Sequence, residues 1–169
     1  MDTIRFDKLL LKTAFCCMAS DGHIDKREIA LIKKMCEQST LFREFDFQKE
    51  INQLVVKIND KGKEFINYYF GLLDTSQLSE EEELTIVDFA IQTIMADDQI
   101  EYAEVKMFKN IRHRLKVGNE IILRLHPDIE QFLEDDIKTE SYLEKITSHF
   151  ISSVEIPKFE FIDVDVTED

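Results

Sequence analysis

Residues 10–35, LLKTAFCCMASDGHIDKREIALIKKM, lie without a gap over residues 86–111, IVDFAIQTIMADDQIEYAEVKMFKNI, at an offset of 76. Ala14/Ala90, Asp21/Asp97, Ile24/Ile100, Glu28/Glu104 and Lys33/Lys109 are identical, and Ile29/Val105, Leu31/Met107 and Ile32/Phe108 keep their apolar character. An internal repeat of this kind restricts the fold more than any composition does, because each copy is one supersecondary unit that needs a partner to cover its apolar face. The unit is a helix, a tight turn and a second helix. Leu9, Leu10, Ala14, Cys17 and Met18 recur at helical steps before the turn, and Ile29, Ile32, Met35 and Cys36 do so after it.

The same periodicity predicts a first helix over 4–20 and a second ending near Ser39–Thr40. Two more, around Ile51/Leu54/Val55/Ile58 and Phe65/Tyr68/Tyr69/Leu72, are separated at Asn59–Gly62. Ser79 followed by Glu82 is a capping box that opens a fifth helix to about Ala96. The acidic run Glu80–Glu83 suits the positive end of that helix dipole and is read as structural rather than as a docking site. A sixth helix is expected over 101–115, with shorter ones at Glu120–Leu125, Asp128–Asp136 behind Pro127, and Ser141–Ile151. Lys158 to Val166 alternates in strand-like fashion and leaves three readings open: a peripheral strand, an arm laid on a partner, or a frayed tail. The expected fold class is all-α, a compact bundle of about seven to nine helices with a duplicated helix-turn-helix and an extended C-terminal segment. Residues 1–138 form the helical domain, and 139–169 a C-terminal helix and acidic tail.

With only 4 Gly and 2 Pro among 169 residues, little interrupts long helices. The net charge of -14, from 35 acidic and 21 basic side chains, opposes binding to nucleic acid or anionic lipid. Lys106, Lys109, Arg112, Arg114 and Lys116 form a local basic run, read as a solvated helix face. Cys16, Cys17 and Cys36 are odd in number and form no C-x-x-C pair, so reduced thiols and a cytoplasmic setting are expected. Asp2 and Asp7 interrupt the N-terminal apolar residues, which argues against a signal peptide, and no run approaches the ~18 apolar residues of a membrane span.

Much of the duplicated turn is helix-capping grammar. Asp25 caps the second helix, Glu28 is its capping-box partner, and Ile24 faces Ile29 as a staple; Glu101, Glu104, Ile100 and Val105 repeat the scheme. Gly22 supplies the left-handed residue that ends the first helix, with Asp98 in its place in the second copy. Asp21 and Asp97 are not explained by capping, since a carboxylate at a helix C-terminus meets the unfavourable end of the dipole. That the same misfit occurs twice marks these positions as functional candidates. Asp21-Gly22-His23-Ile24-Asp25-x-x-Glu28 matches the second half of a calcium loop, but Cys17 and Ala19, and Thr93 and Met95 in the second copy, occupy the first two ligand positions. Neither turn supplies the 6–8 oxygens calcium takes in an EF-hand.

A helix, then Ala/Ser-Asp-Gly-x-Ile-x-x-x-Glu, then another helix, present twice in a small all-α chain, resembles the TerB-like family of tellurite-resistance and stress-associated bacterial proteins. Ser20 to Glu28 carries the signature; Ala96 to Glu104 keeps Asp97, Ile100 and Glu104 and departs at Asp98. The resemblance covers roughly residues 4–116, extends at most to the helices up to 136, and does not carry the segment after 139. It implies a pseudo-twofold bundle with an acidic cluster for a divalent metal, calcium, magnesium or manganese, formed by Asp21, Glu28, Asp97 and Glu104 with Asp25, Asp98 and Glu101 nearby. Carboxylates ~5 Å apart repel by roughly 3 kcal/mol per pair at an effective dielectric of about 20, so such a cluster calls for a cation, a raised pKa or a lysine. His23 is read as a surface residue. The resemblance further implies a cytoplasmic accessory protein that works through a protein partner. The alternative is a metal-free helical scaffold or adaptor. No Gly-rich phosphate loop, H-E-x-x-H or nucleophile elbow is present, His113, His126 and His149 sit in helical contexts, and neither an enzyme nor an organic cofactor is expected.

Overall fold

The computed structural model describes residues 5–20, 22, 24, 26–38, 46–96, 102–129, 156–159 and 161–162. Seven helices are found among them: α1 (Phe6–Ala19), α2 (Lys26–Gln38), α3 (Phe47–Lys61), α4 (Lys63–Thr75), α5 (Glu80–Ile94), α6 (Tyr102–Arg112) and α7 (Asn119–Leu125). The protein is all-α, and no described helix is long and apolar enough to cross a membrane.

α1 is the centre of the bundle. Leu9, Leu10 and Leu11, and the unbroken run from Ala14 to Ala19, are buried, so the helix is enclosed on all sides rather than amphipathic. It packs against α2, α3, α4, α5 and α6, most extensively against α5, its counterpart in the repeat. α5 is enclosed in the same way through Ile86, Val87, Phe89, Ala90, Ile91 and Ile94. The second helix of each copy also packs on the first helix of the other, α2 on α5 and α6 on α1, so the two copies interlock. α3 and α4 fall between the copies in sequence and pack on each other and on α1. Phe15 of α1 meets Phe65 of α4 edge to face at 5.8 Å, and the Thr13 and Tyr69 hydroxyls share a hydrogen bond of 2.6 Å.

Several boundaries differ from the sequence reading. α3 begins at Phe47, with Asp46 accepting from the Lys49 N–H at 3.1 Å, and continues through Asn59, Asp60 and Lys61. The break with α4 is Gly62 alone, at φ 59°, where its N–H still reaches the Ile58 carbonyl at 2.7 Å. Ser79 and Glu82 form the predicted capping box. Glu83 is buried and accepts from the Lys116 and Val117 N–H groups at 2.9 and 2.8 Å, so it ties the chain after α6 to the start of α5. Arg114 corrects the reading of the basic run as solvated. Its side chain is 5% exposed, stacks 4.2 Å over the Phe70 ring and places Nε 3.4 Å from the Asp74 carboxylate. Aromatic stacking and the ion pair hold that cation inside. After Pro127 the described chain makes one tight turn to Ile129, and the helices expected over 130–136 and 141–151 lie outside the described residues.

Candidate functional site

Each copy delivers one described member of the predicted acidic set. Glu28 is the third residue of α2 and Glu104 the third of α6, and they are 3% and 2% exposed. Free N–H groups and the positive end of the dipole sit at this position, which is how a helix tolerates a buried carboxylate there. Both carboxylates act on one group. Burial raises the Cys17 thiol well above its ordinary value, and the neighbouring Cys16, Glu104 and Glu28 raise it further. The two glutamates therefore both lie within electrostatic reach of Cys17 near the end of α1, and α2 and α6 both pack on α1.

Asp21, Asp25, Asp97 and Asp98 lie outside the described residues, as do His23 and Glu101. What surrounds them is described. Gly22 adopts the left-handed conformation at φ 79° and donates to the Ala19 carbonyl at 3.0 Å, as the sequence predicts. The Ser20 hydroxyl donates to the Cys17 carbonyl at 2.8 Å, and Ile24 and Ile29 both join the core. Among the described residues no three His, Cys, Asp or Glu side chains are grouped to hold a metal ion. The two carboxylates present are hard oxygen donors that fit calcium, magnesium or manganese. The Cys17 thiol, held protonated, offers no thiolate to a softer ion.

Sequence reasoning missed a second constellation, on α3. Asn59 donates through Nδ2 to the Phe159 carbonyl at 2.9 Å and accepts the Phe159 N–H on Oδ1 at 2.8 Å. Asn52 repeats the pair on Ile162, at 2.9 and 2.7 Å, and Gln48 also donates to the Ile162 carbonyl. The Lys158 ammonium donates to the Asn59 carbonyl. The described residues 156–159 and 161–162, which make no strand, thus form an arm laid on the chain's own α3. The only sequence signal was the pair of asparagines seven apart in a helix that otherwise needs neither.

Comparison with family models, curated proteins and solved structures finds no match for this chain.

Proposed function

We propose that this chain is a TerB-like interaction module: a non-enzymatic helical body whose two duplicated turns bind a divalent cation and which acts through protein partners in the bacterial cytoplasm, in stress or tellurite resistance. One observation carries the reading. Glu28 and Glu104, equivalent residues of the two copies, are both buried and both act on Cys17. Asp21 and Asp97 lie seven residues before them in each copy, in the position that capping does not explain.

The test is a thermal titration with calcium, magnesium and manganese. A cation at about 100 times its Kd stabilises the folded state by ~2.7 kcal/mol, and that gain is expected to vanish in Asp21→Asn/Asp97→Asn. No shift with any of the three ions, or a shift that survives in the double variant, rejects the cation centre. The metal-free adaptor reading would then stand, and the grip of Asn52 and Asn59 on an extended segment favours it independently.

A further inference from the structure

The two asparagines are spaced for what they hold. Seven residues of helix rise about 10.5 Å and turn nearly twice, so Asn52 and Asn59 emerge from one face. Three residues of extended chain cover about 9–10 Å, the step from Phe159 to Ile162. The arm runs antiparallel to α3, with Ile162 at its start and Phe159 at its end. Ile156, Phe159 and Ile162 pack partly buried against the body, while Pro157 and Lys158 are exposed and Phe161 is 72% exposed. Every third side chain faces inward. The amides of Asn52 and Asn59 touch only main chain, which any polypeptide offers. On α3 the two asparagines border the core residues Ile51, Val55 and Ile58, and Ile156, Phe159 and Ile162 pack against that core from outside while staying partly exposed.

We propose that this face of α3 is a docking groove for an extended segment of a partner protein, and that the arm of residues 156–159 and 161–162 is its resident, displaceable occupant. The segment it takes has apolar side chains at every third position and free N–H groups at the second and third of them. Proline is excluded at those two positions and tolerated between the first and the second, where Pro157 stands. The tethered arm competes at an effective concentration near the millimolar range, so a partner meets a guarded groove and needs more affinity than the arm. α3 lies outside both repeat copies, and this site stands or falls separately from the cation centre.

A fluorescent peptide with the sequence of residues 153–164 is titrated into the full chain. F159A/I162A, which loosens the arm, is expected to bind it at least ten times more tightly than the unaltered protein. Adding N52A/N59A costs at least tenfold, since each asparagine loses two hydrogen bonds to the main chain it holds. A peptide N-methylated at the positions of Phe159 and Ile162 keeps every side chain and is expected to lose binding to the same degree. A cooperative thermal transition shows that each variant retains its folded body, and N52Q/N59Q, which keeps the amides but displaces them, replaces an N52A/N59A variant that lacks one. Absence of binding to the loosened chain, or equal binding of the N-methylated peptide, overturns the groove. A dimer of the unaltered protein that F159A/I162A abolishes overturns the partner as occupant in favour of arm exchange between copies.

Discussion

The pair α1–α2 and the pair α5–α6 fill equivalent places in the core, yet their first helices end by different chemistry. In the first copy the Ser20 hydroxyl covers the Cys17 carbonyl at 2.8 Å and Gly22 turns the chain at φ 79°. In the second, Ala96 has no hydroxyl to give and its N–H reaches the Thr93 carbonyl at 3.3 Å. Thr93, the counterpart of Cys17, turns its own hydroxyl back to the Phe89 carbonyl at 2.7 Å. What the copies share is the apolar phase, the interlock and a buried glutamate at the third helical position. Packing thus fixes the helix faces and the glutamates, while the last turn of each first helix is free to be closed by whatever local donors are present.

The comparison is broken most forcefully in the core. Phe15→Ala is expected to cost about 4 kcal/mol, and Ile91→Ala at the equivalent position about 3 kcal/mol, because Phe15 also loses its edge-to-face partner Phe65. Chemical denaturation measures both, and equal losses would remove the aromatic contact as the source of asymmetry. Alkali comes next. Burial raises Cys16 and Cys17, and raises Cys36 to about 12, whereas the equivalent positions in the second copy are Gln92, Thr93 and Arg112. A thiol raised on folding contributes stability that is complete below its ordinary value of 9.0 and is lost as pH climbs from there towards the folded value. Each such thiol steepens the loss by up to about 1.4 kcal/mol per pH unit, so Cys17→Ala should flatten the denaturation profile above pH ~9 by that amount. Lys12, lowered by burial and by Lys57, has the opposite sign but is present in both proteins and cancels.

Smaller effects sharpen the comparison further. Glu28→Gln and Glu104→Gln, measured without divalent cation, are each expected to change stability by about 1 kcal/mol, and nearly equally. A double-mutant cycle should show coupling of at least 0.5 kcal/mol, roughly the threshold for residues that share a partner; additive effects would mean that the two carboxylates do not share a neighbourhood. Ser20→Ala should cost roughly 0.5 kcal/mol by thermal melting, the value of one local hydroxyl bond in the turn that Ala96 lacks.

The helices, the capping box at Ser79 and the left-handed Gly22 were legible because each is decided within a few residues of chain. Asn59 was misread as part of a break because asparagine usually marks a turn; here its amide is engaged by Phe159, 100 residues away, and the helix runs on. The same distance hid the true period of the arm. Phe159 and Phe161 look like one face of a strand, but no strand among the described residues imposes a period of two, and the asparagine spacing selects every third residue instead. Glu83 could be recognised as a first-turn carboxylate, but not as the acceptor for Lys116 and Val117, since no local rule relates positions 33 and 34 residues apart. Of the acidic set, the sequence showed which residues are equivalent. Only the packing of α2 and α6 on α1 brings Glu28 and Glu104 both within electrostatic reach of Cys17.

The enclosure of α1 has a consequence for biosynthesis. Its main partner α5 begins at Glu80, more than sixty residues after α1 ends at Ala19, so at about 5–20 residues per second a ribosome exposes one of the most apolar helices of the protein for several seconds. Chains halted before α5 should therefore be preferred clients of chaperones and should precipitate when these are depleted, whereas chains extended past Ile94 should escape both fates.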